Sequence, residues 1–290
     1  MPKTILIAGA ASELGRSMAE DLARAGHRVF ASMREPYERN REAANRLWAR
    51  GIDVVPLDVA DEESVGAAVQ AVRRKARRID VLINNARVAM IGAIEAFTPQ
   101  QAQDVLNTNV VGAIRLAQAV LPGMRREKAG LIVHIGSVLG RVSLPYFGVH
   151  SAGKFALEAL TDSLRYELSP FGIDVVLVQQ SVSPVSARLL TVCQANEAAP
   201  SDVAAQRPMM LAQMSAKLEM ARVPEAHAVC GAIRSLVDQP FGTRPYRMVV
   251  GQTFGADLLN QLAERMQREA LEAVRAGAFG GFAAQSEGGV

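Results

Sequence analysis

The chain has 290 residues, 49% of them hydrophobic, and a formal charge of only +3. Such a balance argues against nucleic-acid binding through bulk charge. The only dense basic run, Arg73-Arg74-Lys75-Ala76-Arg77-Arg78, ends a helical pattern that begins near Glu62, where the helix dipole favours cations. No apolar run is long enough to cross a bilayer, and the first ten residues lead into a strand rather than a secretory leader. Cys193 and Cys230 lack a metal-ligand spacing. A cytoplasmic protein with free thiols and without a metal, membrane or nucleic-acid partner is expected.

In chain order, Thr4 to Ala8 reads as the first strand, followed by a small-residue turn and a helix through Leu14, Met18, Leu22 and Ala25 that stops at Gly26. Arg28 to Ser32 is the second strand. Further strands are expected over Ile52–Leu57, Val81–Ile83, Leu131–Ile135, Val175–Val178 and Arg247–Val250, with helical periodicity between them. Continuous apolar strands alternating with helices imply a parallel sheet covered on both faces, the Rossmann-like doubly wound α/β class. No Pro/Gly/Ser-rich linker interrupts the pattern, so one domain over residues 1–275 is expected. Residues from about Ser186 to Pro224 show no strand signal, and Met209, Met210, Met214 and Met220 there read as packing residues. The Gly/Ala-rich residues 276–290 are expected to be disordered.

Three segments carry the chemistry. Between the first strand and its helix lies Gly9-Ala10-Ala11-Ser12-Glu13-Leu14-Gly15, where a nucleotide's phosphates would meet backbone amides and a helix N-terminus. Leu131 to Ile135 delivers Gly136-Ser137 to the carboxyl end of the sheet, where open α/β folds place their sites. His150 and Lys154 fall four apart at the start of an amphipathic helix carrying Phe155, Leu157, Leu160, Leu164 and Leu168, so their side chains point the same way. Ser, His and Lys can therefore converge.

Ser137, His150-Ser-Ala-Gly-Lys154 and Asn107-Thr-Asn109-Val-Val-Gly112 resemble the active-site segments of the short-chain dehydrogenase/reductase family over about the first 185 residues. The resemblance implies catalytic roles for Asn109, Ser137, His150 and Lys154, and a variable substrate lid over about 186–224. It also implies that Gly9, Ser12, Glu13, Leu14 and Gly15 cradle a dinucleotide, that Asp58 and Val59 contact adenine, and that Asn84, Ala86 and Arg87 support it from the fourth strand. Arg34, with no acidic residue at the end of the second strand, suits a 2′-phosphate, so NADP(H) is the cofactor if one is used. Homodimers or homotetramers are expected through helices around Gln100–Met124 and His150–Leu168.

Chemical positions depart from the family while structural ones are kept. The proton-donating tyrosine is His150, the middle glycine of the turn is Glu13, the glycine after Asn84-Asn85-Ala86 is Arg87, and Gln180 and Val185 stand where the family contacts the nicotinamide. Arg87 either grips the cofactor phosphates or fills the site. Val185 has no hydroxyl to hydrogen-bond a carboxamide. Imidazole is a competent acid or base, but its nitrogen ends about 1–2 Å nearer the backbone than a phenol oxygen, and misplacement of that order can cost ~100-fold. Tyr146, at twice the family's spacing from Lys154, reads as a pocket wall.

Three functions remain open. One is an NADP(H)-linked oxidoreductase of altered mechanism acting on a small hydrophobic carbonyl, alcohol or alkene. The second is a cofactor-independent acid–base enzyme (lyase, isomerase, dehydratase or hydrolase) using Ser137 and His150. The third is a non-catalytic nucleotide-binding protein. Leu189, Leu190, Met209, Met210 and Leu211 point to a small apolar substrate without identifying it.

Overall fold

Along β1 (Thr4–Ala8) successive side chains enter opposite layers, as a buried strand requires. Ile5 and Ile7 join one apolar cluster, Leu6 and Ala8 the other. The computed structural model describes residues 1–181, 191–192 and 226–274. In chain order the elements after β1 are α1 (Glu13–Arg24), β2 (Arg28–Met33), α2 (Arg41–Trp48), β3 (Asp53–Pro56), α3 (Glu62–Ala76), β4 (Val81–Asn84) and β5 (Met90–Ile91). They continue with α4 (Pro99–Leu106), α5 (Gly112–Glu127), β6 (Gly130–Ser137), α6 (Gly148–Leu168), β7 (Ile173–Gln180), β8 (Thr191–Val192), α7 (Ala226–Asp238), β9 (Arg247–Val250) and α8 (Ala256–Ala273).

Seven strands pair in parallel in the order β3-β2-β1-β4-β6-β7-β9. Helices α1, α2 and α7 cover one face through Met18, Leu22, Leu47 and Ile233, and α3 and α5 cover the other through Val69, Val72, Leu116 and Val120. This is the doubly wound fold expected from the alternation. The crossover reverses between β1 and β4, and the crevice outside the carboxyl ends there is the natural ligand site.

Strands β6 and β7 run further than their apolar cores, because the ladder continues through Gly136↔Gln179 and Ser137↔Gln180. That extension brings Ser137 and Gln180 side by side. The stretch read as strandless contributes Thr191–Val192, which pairs with Met90–Ile91. The rest of the segment 186–224, its methionines, Val185, Cys193 and the tail 276–290 lie outside the described residues.

Helix α6 departs from its apolar pattern. Phe155 is 43% exposed, whereas the buried face holds His150, Lys154, Glu158, Thr161, Asp162 and Arg165 beside Leu157 and Leu168. Apart from His150, those polar groups are paired. Gln179 Nε2 donates to Glu158 Oε1 at 2.5 Å, Arg247 Nε to Glu158 Oε2 at 2.9 Å, and Asn260 Nδ2 to Gln179 Oε1 at 2.6 Å. The basic run at the end of α3 is a solvated helix terminus, with Lys75 on Asp53 and, just beyond the helix, Arg78 on Asp80 and Glu127. Among the described residues no helix is long and apolar enough to cross a membrane.

Candidate active site

The first turn is shaped by two close approaches. At Gly9, with φ +82°, a Cβ would lie 2.7 Å from Ala86 Cα, and at Gly15 it would lie 2.3 Å from the Gly9 carbonyl oxygen. Only glycine meets both demands. Ser12 caps α1, accepting from Gly15 N at 3.1 Å and donating to Gly9 O at 2.9 Å. Asn85 Nδ2 donates to Gly9 O at 2.9 Å and to Ser12 Oγ at 3.1 Å, tying the turn to the end of β4. Leu14 packs into the core and lines neither cavity. Glu13 is exposed at the helix start, where the dipole favours its charge.

In front of the turn a cleft of about 170 Å³ is lined by Gly9, Ser12, Arg34, Asp58, Val59, Ala86 and Arg87. Arg34, with a 54% exposed side chain, stands 4.0 Å from Asp58 Oδ2. Sequence reasoning missed Arg39 and Asn40 on the same wall. Asn40 Nδ2 holds the Arg34 carbonyl at 2.6 Å, and the signal was available as a second cation in the loop that follows Arg34. Asn84 does not line this cleft. Its side chain turns into a narrow space of about 10 Å³ beside Lys154 and Asn109, because the strand's alternation sends Asn84 inward, and Asn85 takes the place at the cleft.

A second cavity of about 360 Å³ adjoins the first and is lined by Ser137, His150, Lys154, Arg87, Gln180, Phe147 and Leu139, with Glu13 at its wall. Ser137, His150 and Lys154 therefore do converge. Ser137 Oγ accepts from Leu139 N at 3.1 Å, which leaves its own proton free to donate. Lys154 Nζ donates to the Ile135 carbonyl at 2.9 Å. Burial, helped by the Arg87 charge, brings the Lys154 ammonium down to about 7. The His150 ring meets Phe147 edge-on with centroids 6.4 Å apart. Burial first, then the cations Lys154 and Arg87, push its pKa to about 3, so the imidazole is neutral at physiological pH.

Arg87 Nη1 donates to Gln180 Oε1 at 3.3 Å, spanning from the end of β4 to the end of β7 across β6. Asn109 lies in a π-turn, Asn107–Val111, between α4 and α5. Val59 sits 2.9 Å from where a Gly112 Cβ would be, which explains the glycine that ends that segment. Tyr146 is not in the wall of the cavity. Its backbone, at φ +67°, turns its carbonyl to accept from Gly92 N at 2.9 Å, and its ring packs on the cluster of Ile91, Val138, Leu139, Phe147 and Ala256 behind that wall. Among the described residues no three His, Cys, Asp or Glu side chains gather as a metal site.

A glycine turn at the switch point, a serine at the end of β6 and a lysine in the second turn of α6 are the features that define a dinucleotide-linked oxidoreductase class. Residues 3–188 match the short chain dehydrogenase family, and the chain belongs to it. It is 38% identical over 178 residues to a 3-ketodihydrosphingosine reductase of Bacteroides thetaiotaomicron, covering 61% of this chain and 63% of that one. The match thus spans less than two thirds of that relative. A short-chain dehydrogenase from Streptomyces avermitilis is similar across 97% of this chain and 99% of its own, with a TM-score of 0.74 and 29% identity. A gluconate 5-dehydrogenase from Burkholderia cenocepacia, solved with NADP and tartrate, is 28% identical with a TM-score of 0.57, covering 62% of this chain and 71% of its own.

Proposed function

We propose that the protein is an NADP(H)-linked oxidoreductase acting on a small carbonyl, alcohol or alkene, with His150 standing where the family has its phenol. The observation that carries this is the continuity of the two cavities: Ala11, Ser12 and Arg87 line both, so the nucleotide cleft opens directly onto Ser137, His150 and Lys154. NADP fits the residues present. Arg34 and Arg39 supply two guanidinium groups on one wall for a 2′-phosphate, and the Ser12-capped N-terminus of α1 favours a diphosphate. The crystallised gluconate 5-dehydrogenase that holds NADP adds support.

When bound, the cofactor supplies the hydride. The chain supplies the rest. Ser137 offers its free O–H to the substrate oxygen, and neutral His150 offers a hydrogen bond of shorter reach beside it. Lys154, at about 7, lines the same cavity and exchanges a proton near neutrality, so it is assigned the proton that the product oxygen takes up or gives back. Loss of NADPH fluorescence against a panel of ketones and enones tests the reading. Ser137→Ala should abolish turnover, whereas His150→Tyr should raise carbonyl reduction toward the ~100-fold that correct reach is worth.

The second reading, redox-neutral acid–base chemistry by Ser137 and His150, is favoured by the Arg87–Gln180 contact, which crosses the carboxyl end of β6. On that reading the parent protein does not bind NADPH, and Arg87→Gly combined with Glu13→Gly creates affinity. His150→Tyr then destroys the native activity instead of raising it.

A further inference from the structure

Four buried or half-buried arginines among the described residues find carboxylates, whereas Arg115 finds the Val59 carbonyl and the Asn107 amide oxygen. Arg141 and Arg247 meet Glu158, Arg165 meets Asp162, and Arg244 meets Asp174. Arg87 differs: partly buried, its only partner among the described residues is the neutral amide of Gln180, at 3.3 Å, which leaves most of its five N–H donors uncommitted. Its uncommitted N–H groups line the two cavities, where they are placed to receive an anion.

Among the described residues the cavity does not provide one: Lys154 lines it with Arg87, and the one carboxylate in its wall, Glu13, is exposed at the start of α1. Glu158, behind Lys154, is already engaged by Arg141, Arg247 and Gln179. The contact with Gln180 also draws the guanidinium toward β7, away from the glycine turn on β1, since β4 and β6 lie between those strands. Arg87 lines both cavities, and its one side-chain hydrogen bond among the described residues lies on the Ser137–His150 side, at Gln180. Beside it, Ala89, Leu139 and Phe147 make an apolar wall.

We infer that the substrate is an acid, with its carboxylate held by Arg87, its apolar body against Leu139 and Phe147, and its reacting carbon beside Ser137 and His150. Guanidinium and carboxylate match as a two-point fork, and Gln180 fixes the plane of that fork by holding one of its nitrogens. This rests on the reading of the second cavity as the substrate site, and it narrows the substrate class to oxo or hydroxy acids.

Two oxo acids, phenylglyoxylate and 4-oxo-4-phenylbutanoate, each paired with its methyl ester, test this by calorimetry on the protein with and without NADP⁺. At least one acid should bind tenfold or more tighter than its ester. Arg87→Gln should erase that preference while leaving the ester's affinity unchanged, and Arg87→Lys should restore part of it. The inference is overturned if no acid binds, if acid and ester bind alike, or if Arg87→Gln keeps the preference. It is equally overturned if Arg87→Gln weakens NADPH and spares the acids, which would assign the guanidinium to the cofactor. A protein that prefers the acids through Arg87 yet never binds NADPH keeps this inference and removes the redox reading.

Discussion

Asn109 holds Val88 from both sides of the peptide: its Oδ1 accepts from Val88 N at 2.8 Å and its Nδ2 donates to Val88 O at 2.8 Å. A side-chain amide thus substitutes for a strand partner just past β4 and sets the backbone next to Arg87. Replacing Asn109 with alanine leaves both Val88 groups unpaired. We expect a loss of about 2–4 kcal/mol at about 1–2 kcal/mol per hydrogen bond, measured by urea unfolding. An unchanged midpoint would show that the pair is dispensable.

Gly15 allows the N-terminal turn of α1 to sit against the glycine turn. A Cβ would meet Gly9 O at 2.3 Å and Asn85 Nδ2 at 2.9 Å. Gly15→Ala should destabilise by about 1–3 kcal/mol through overpacking and weaken any nucleotide in the adjoining cleft. Gly66, where a Cβ meets nothing within 4 Å, is the control: Gly66→Ala lies inside α3 and should be neutral or stabilising.

His134 lies under the sheet's ligand end, fully buried, with Nδ1 2.8 Å from Thr161 Oγ1. The Thr161 hydroxyl donates to Leu157 O at 2.6 Å, so it accepts from the histidine, and His134 carries its proton on Nδ1. Burial and the nearby Lys154 charge lower its pKa from 6.5 to about 4. Between those values the unfolded chain binds a proton that the native chain refuses, so this contribution is complete above pH 6.5 and is lost as pH falls toward 4. The slope is up to about 1.4 kcal/mol per pH unit from this one group. His134→Asn, which keeps the donor to Thr161 and cannot titrate, should flatten the acid limb of the stability curve. Equal slopes would assign the acid sensitivity elsewhere.

The outer faces of α4, the π-turn and α6 expose Leu106, Val111 and Phe155 at 37–43%, on elements that pack against one another. We expect a homodimer or homotetramer formed through this face. Sedimentation velocity at micromolar concentration should show it, and Phe155→Glu should shift it toward monomer. A monomeric parent protein would remove this assembly.

The sheet was legible because a buried parallel strand has a composition of its own: every expected main-sheet strand formed, to within a few residues. Its ends were less legible, since hydrogen bonding carried β6 and β7 past their apolar cores to Ser137 and Gln180. Motif spacing brought Ser137, His150 and Lys154 together correctly. Apolar periodicity misread α6, whose buried face is polar because Arg247, Gln179 and Asn260 come to it from residues far along the chain. For the same reason the exchange of Asn84 for Asn85 at the cleft escaped notice: adjacent identical residues on a strand end are told apart only by which face each one meets.

The oxidoreductase reading depends on a dinucleotide entering the cleft beside Arg34 and Arg39. Titration of the purified protein with NADPH and NADH, followed by nucleotide fluorescence, examines that step alone. Saturable NADPH binding that exceeds NADH binding is expected, and Arg34→Ala should weaken NADPH by about 1.5–3 kcal/mol, the range for a charge-assisted hydrogen bond, while sparing NADH. Failure of NADPH to bind at millimolar concentration, or equal loss of both nucleotides in the variant, would contradict the account.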